Sequence, residues 1–383
     1  MTGFRAEAPS DRPLRVIQVG AGGMGQAWLG TVAADPDVEL VGIVDLNLDA
    51  AKASAQALGS GAPGAQELAV GTDLAALVEQ TRPDAILDIT VPVAHHPVTT
   101  QALFLGLPVL GEKPVAPTIA QSLSLAAAAE VSGELFMVSQ SRRRNDQLVD
   151  LRQHAALLGD VGIVTTEFYK APHFGGFREE MDDVLLLDMA IHPFDSVRYL
   201  LGTEPVSVYC ESYNPSWSWY SGDAAATALF EFEGGVRYEY DGSWCSPGFE
   251  TSWNGSWRVS GEHGSALWNG DDSPTSEVDG GLGVPAPAAS LGDGIAGSLT
   301  AFTRALRTGE APDGEVHGNI MSLAMVEAAI ASKNQRRRIL IDEVLEGALT
   351  EAIAAETRDD VRERLTSWGS VRSALAAVGS RVA

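Results

Sequence analysis

The sequence predicts an α/β protein in two parts: a doubly wound parallel sheet over residues 1–140 and an α+β domain over 141–341, followed by a helical extension at 342–383. Three observations predict it. A short apolar strand runs into a glycine-rich turn and a helix at 15–34; strand and helix patterns alternate to residue 140; and beyond it apolar and polar residues alternate with period two. A length of 383 residues suits two domains better than one core.

The elements follow in order. RVIQVG (15–20) is a strand ending in glycine, 26–34 is a helix stopped before Pro36, and VELVGIVD (38–45) is a second strand, so the first βαβ unit closes within about thirty residues. An alanine-rich helix spans 49–58. The alternation continues through a helix at 73–80, strand DAILDIT (84–90), helix 97–106, strand PVLGEKP (108–114), helix 118–132 and strand LFMVSQ (135–140). Such strand–helix–strand units build a parallel sheet, with right-handed crossovers.

Beyond residue 140 a helix at 145–158 leads to strand VGIVTTEFYK (161–170), and 206–268 carries little helix signal. Val236, Tyr238 and Tyr240 share one strand face, with Phe230 and Phe232 on the neighbour across Gly234-Gly235, so an antiparallel sheet is expected. Residues 271–294, rich in Gly, Pro, Ala, Ser and Asp, read as a loop. Helices return at 297–308 and 315–333, strand RRRILI (336–341) follows, and the rest is helical by composition.

Apolar residues at 45% and charged residues at 20% exclude a disordered or fibrous chain. The net charge of −25 is spread over both halves and repels phosphate backbones and anionic bilayers, which argues against nucleic acid or membrane partners. Two cysteines, Cys210 and Cys245, make no disulfide framework and lie in no zinc spacing, so no metal site is expected. With no apolar leader and no run of about 18 apolar residues, a cytoplasmic protein is expected.

Gly20-Ala21-Gly22-Gly23-Met24-Gly25 fits GxGxxG between a strand and a helix. Gly20 permits the tight turn, Gly22 lets backbone approach a pyrophosphate, Gly25 allows close helix packing, and the helix N-terminus offers free N–H donors. Asp45 ends the next strand, where a carboxylate can bind the adenosine ribose. A carboxylate there repels a 2′-phosphate, and neither Leu46 nor Asn47 can receive one, so NAD is favoured over NADP. Glu112-Lys113-Pro114 ends a parallel strand, on the side where open α/β sheets bind ligands. Asp188 and His192 stand four apart in a helical stretch, a spacing that puts an acid and an imidazole on one face.

The ordered set GAGGMG, Asp45, TVPVAHH, GEKP and DMAIH resembles the glucose-fructose oxidoreductase/inositol dehydrogenase (Gfo/Idh/MocA) family, over about residues 14 to 341. The resemblance implies an N-terminal Rossmann domain, a C-terminal α+β domain with a large open antiparallel sheet, and NAD(P)-dependent oxidation of a secondary hydroxyl on a sugar or cyclitol. It implies Lys113, Asp188 and His192 as the catalytic set and Thr90, Pro92, His96 and Glu112 as cofactor neighbours. The chain departs from the family at Asp183-Val184-Leu185-Leu186-Leu187, where glycines often precede the acid.

Hydride leaves an alcohol carbon only as its O–H proton is removed, so the expected base is His192, oriented by Asp188, with the Lys113 cation stabilising the developing alkoxide. Six of the eight tryptophans lie between Trp217 and Trp268, and aromatic faces can line a sugar site; Trp217, Trp219 and Tyr220 are the main candidates, against sheet packing for Trp244, Trp253, Trp257 and Trp268. Tyr169, Lys170 and His173 follow a strand end within reach of a substrate, and Arg142, Arg143 and Arg144 could read hydroxyls or anions, although solvated charge runs are commoner. The acidic surface makes a neutral polyol the simpler substrate. A homo-oligomer, dimer or tetramer, joined through the open sheet is expected. Two other readings stay open: an NAD-dependent glycosidase working by transient oxidation and elimination, and a catalytically silent NAD-binding regulator.

Overall fold

A computed structural model of the chain describes residues 4–5, 11–59, 68–287 and 290–379. It divides into two compact units, each discontinuous in sequence: Met1–Ser141 with Gly294–Ile320 and Ala348–Ala383, and Arg142–Asp293 with Met321–Gly347.

In the first unit, β1 (Leu14–Val19), α1 (Gly23–Ala34), β2 (Val38–Val44), α2 (Leu48–Gly59), β3 (Ala69–Gly71), α3 (Leu74–Thr81), β4 (Ala85–Asp88), α4 (Pro92–Phe104), β5 (Val109–Glu112), α5 (Ile119–Ser132) and β6 (Phe136–Ser139) follow in order. The six strands are all parallel, in the order β3-β2-β1-β4-β5-β6. That is a doubly wound sheet whose order reverses between β1 and β4, opening a crevice at their carboxyl ends. Every residue of β4, β5 and β6 is buried, as expected of strands covered on both faces. Helix ends obey local chemistry: Asp73 and Thr118 cap α3 and α5 by accepting from Ala76 and Gln121 N–H, and Gly133 closes α5 at φ 73°. Each such cap is worth about 1 kcal/mol. Two details differ from expectation. The short edge strand β3 was not foreseen, and α4 begins at Pro92 rather than at residue 97, because Pro92 takes the first helical position, where no N–H is needed.

The second unit starts with α6 (Asp146–Ala155) and β7 (Val161–Tyr169), then a π-helical segment Leu185–Ala190 running into α7 (Ile191–Leu201). β8 (Pro205–Tyr213), β9 (Ala225–Phe232), β10 (Arg237–Ser243), β11 (Ser256–Gly261), β12 (Gly264–Trp268), β13 (Thr275–Val278) and β14 (Gly281–Leu282) follow. The chain continues through α8 (Gly294–Thr308), α9 (Val316–Gln335), β15 (Ile339–Leu340), α10 (Ile341–Ala355), α11 (Asp359–Thr366) and α12 (Val371–Gly379). Nine strands form one sheet, β14-β13-β12-β11-β7-β10-β9-β8-β15. It is mixed, not purely antiparallel: β7 and β10 run parallel at its centre. Alternation reports a half-buried face and is blind to strand direction. The hairpin appears as read, with Phe230 opposite Tyr238. Phe194 of α7 packs edge-on against Phe230 and Tyr240 at 4.8 and 5.3 Å, and each buried ring contributes about 1.5–3 kcal/mol.

The stretch 271–294 is not all loop. β13 and β14 lie in it, joined at Asp279-Gly280 with φ of 50° and 80°, the positive angles that Asp-Gly supplies. The division at 141, 341 and 342 is also redrawn. Val138 N–H donates to Gly314 O at 2.8 Å, α8 packs on α1, and α11 packs on α5, so the segment before α9 and the last helices belong to the first unit. Sequence order does not say which core a helix face will cover.

Candidate active site

In the first unit the site is built at the carboxyl ends of β1, β2, β4 and β5. Gly20 has φ +103°, and a Cβ there would strike Ile89 O at 2.3 Å; at Gly25 it would strike Gly20 O at 2.5 Å. Both positions admit only glycine. Gly22 differs, because a Cβ there would meet nothing within 4 Å. Gly22 also caps α1 without a side chain, so the first-turn N–H groups face that space uncapped. This is a cradle for a pyrophosphate, with the helix dipole behind it. Gln18, buried in β1, pins it from below by donating to Gly20 O and Gly25 O at 2.8 and 3.0 Å. Asp45 accepts from Ala21 N–H (2.7 Å) and Asn47 N–H (2.8 Å), and each oxygen keeps a lone pair for a ribose hydroxyl. Leu46 beside it is almost fully exposed and offers no cation.

At the end of β4, Thr90 donates its hydroxyl to Asp88 at 2.6 Å. Burial pushes the Asp88 carboxyl up, against the pull of His95 and the Thr90 and Thr99 hydroxyls. Pro92 opens α4. His96 pairs with Ser124 at 3.0 Å, so its ring joins α4 to α5, and burial lowers its pKa despite Glu356. The neighbouring His95 is the imidazole at the strand ends, with Nδ1 2.7 Å from Pro114 O and Nε2 3.2 Å from Thr90 O. Glu112 is committed to the fold: it accepts from Trp28 Nε1 (2.7 Å) and Lys113 N–H (3.1 Å). Lys113, half-buried, extends beyond β5.

In the second unit Asp188 lies in the π-helical segment and His192 in the first turn of α7. The π-helical segment runs directly into α7, so Asp188 and His192 lie about one turn apart on a continuous helical stretch. Asp188 is held by Arg178, whose Nε donates at 2.6 Å. The segment is anchored upstream at Asp183, where Lys333 makes ion pairs to Asp183 (2.7 Å) and Asp223 (2.9 Å).

The other sequence candidates divide. Arg142 donates to Trp253 O and approaches Met189 Sδ at 3.8 Å; burial pulls its guanidinium down to about 10, still a cation at neutral pH. Arg143 is a structural residue, paired through two nitrogens to Asp195 at 2.7 Å each. Tyr169 lies on the sheet face opposite α7, with its hydroxyl on Asp241 at 2.5 Å; burial and Asp241 raise its pKa. His173 stacks on Trp219 at 3.8 Å. Trp217 is exposed and fixed by Nε1 to Cys245 O at 2.8 Å, whereas Tyr220 is buried with its hydroxyl on Pro172 O. Trp257 and Trp268 are buried in the sheet, Trp244 is buried just past β10, and Trp253 is exposed beside Lys170. Sequence reasoning missed Gln18, His95, Trp28 and Arg178. Only Gln18 left a signal, a polar residue inside an apolar strand.

A glycine cradle and ribose-side carboxylate at the switch point of a doubly wound sheet define a dinucleotide-binding oxidoreductase. Residues 14–140 match the oxidoreductase family with NAD-binding Rossmann fold, and residues 153–267 match the GFO/IDH/MocA C-terminal domain. The chain belongs to the Gfo/Idh/MocA family of NAD-binding oxidoreductases. It is 30% identical to the uncharacterized protein y4oX of Sinorhizobium fredii, over 66% of this chain and 72% of that protein. It is 32% identical to inositol 2-dehydrogenase 4 of Saccharopolyspora erythraea, over 52% of this chain and 57% of that enzyme. An oxidoreductase from Agrobacterium radiobacter, solved with NAD+, L-tartaric acid and magnesium, shares the fold with a TM-score of 0.76 at 18% identity, covering 87% of this chain and 99% of that one.

Proposed function

We propose that the protein is an NAD-dependent dehydrogenase that oxidises a secondary hydroxyl of a sugar, inositol or related polyol. The cradle at Gly20–Gly25 with Asp45 carries this reading, and the likeness to inositol 2-dehydrogenase 4 supports it. Bound NAD supplies the hydride acceptor. His192 takes the hydroxyl proton, and the Lys113 cation stabilises the oxygen as its charge develops. Asp188 positions the reacting group, its carboxylate held by Arg178. Gly20 to Gly25 hold the pyrophosphate, with Ala21 and Met24 beside it, and Thr90 and Pro92 shape the crevice. The buried, unbridged Cys210 and Cys245 suit a reducing cytoplasm, and no helix among the described residues is long and apolar enough to cross a membrane.

NADH formation across inositols, aldoses, amino sugars and sugar acids, with NADP as control, tests the reading. Lys113→Ala and His192→Ala are each expected to lower turnover ~10²–10⁴-fold while NADH binding, followed by fluorescence, persists. Wild-type turnover in either variant removes that residue from the mechanism. Aglycone release without stoichiometric NADH would mark a glycosidase instead, and NADP preference would overturn the role of Asp45.

A further inference from the structure

Four cations of the second unit, Arg142, Arg143, Lys170 and Arg178, differ in what their donors are spent on. A guanidinium is planar and can hold a carboxylate on its Nε side or across its Nη1/Nη2 end. Arg143 spends Nε and Nη2 on Asp195, and Arg142 turns Nη1 to Trp253 O and Nη2 to Met189 Sδ. Lys170 is paired with Glu250 at 3.0 Å. Arg178 gives Nε to Asp188, and among the described residues its Nη1 and Nη2 make no hydrogen bond. Its side chain is 36% exposed and lies over Phe174 and Phe177, 5.2 and 4.9 Å from their centroids, contacts that steady the guanidinium without using a donor. The adjacent acids are engaged elsewhere, Glu179 with Gly175 N–H and Glu180 with the Ser221 hydroxyl.

We propose that the Nη1/Nη2 end of Arg178 binds a carboxylate of the substrate, which makes the substrate an acidic sugar or polyol such as a uronate or an aldonate. The inference rests on the dehydrogenase reading, with Asp188 beside the reacting carbon. It reverses the expectation of a neutral polyol. A surface of net charge −25 offers anions no general attraction, so selection for an acid has to be local, and a fixed guanidinium fork supplies it.

Substrate pairs differing at one carbon isolate the carboxylate: glucuronate against glucose, galacturonate against galactose, gluconate against sorbitol. Calorimetry on the NAD-loaded protein reads binding, and NADH absorbance reads turnover. The acid of at least one pair is expected to be preferred. Arg178→Met should lower its kcat/KM relative to the neutral member by ~10–100-fold, with partial recovery in Arg178→Lys. Unchanged NADH affinity verifies that the variants fold. Preference for the neutral members, binding of neither, or an acid-to-neutral ratio that Arg178→Met leaves unchanged overturns the proposal. Failure of the dehydrogenase reading looks different: the acid binds in an Arg178-dependent way and no NADH forms.

Discussion

His317 carries its charge inside the first unit. Burial opposes that charge, but Glu315 at 2.7 Å and Glu130 at 3.3 Å outweigh it and raise the imidazole to about 9. Glu130 is drawn down to about 2, because the neighbouring His317 and Arg364 cations override its own burial. A folded-state pKa above the free value of 6.5 favours the protonated form in the native protein. The stabilisation is therefore complete below about pH 6.5 and is lost as pH rises through 9. Glu130 works in the other sense, contributing above about pH 4.5 and failing as pH falls toward 2. His317→Gln is expected to lower the melting temperature markedly at pH 6 to 7 and little at pH 10; an equal loss at both would show that the charge is not the stabilising feature. At this scale the expected steric roles of Gly20 and Gly25 agree with the backbone, because a glycine turn between strand and helix is locally determined. The choice between His95 and His96 was not legible, since adjacent residues on a helix face different neighbours and only tertiary packing assigns them.

Element by element, the last helices show what periodicity leaves open. α11 buries Val361 and Leu365 against α5, Arg364 pairs with Glu130, and Trp368 Nε1 donates to the same carboxylate at 3.2 Å. The extension is thus part of the first core. Ending the chain after residue 356 should lower the melting temperature and raise binding of a hydrophobic dye, while leaving a cooperative transition; an unchanged transition would make α11 and α12 ornamental. The helical character of this segment was legible from composition. Its destination was not, because an apolar stripe records that a face is buried and not against what. The π-helical segment was likewise hidden, since its residues Leu185 to Ala190 carry ordinary helical composition and the wider turn arises where the segment packs on β9 and β10.

For the whole molecule, the outer face of the nine-stranded sheet is the feature with a consequence for assembly. Tyr209, Tyr213, Ile163 and Leu267 are exposed on it, among Glu239, Arg258 and Glu167. Our reading of the protein as a homo-oligomer joined through this face predicts a dimer or tetramer by light scattering. Tyr209→Lys combined with Leu267→Lys should shift it toward monomer while NADH binding is kept, and a monomeric wild type would end that reading.

By itself the sequence determined the strand–turn–helix cradle, the parallel direction of the strands in the first sheet and the buried face of the β9–β10 hairpin. Each follows from contacts or periodicities spanning a few tens of residues. Only the tertiary structure decided that the second sheet is mixed and that the segment before α9 and the terminal helices complete the first core. Those outcomes depend on pairings between distant segments, which are selected by the packing of whole surfaces and leave no period in the chain.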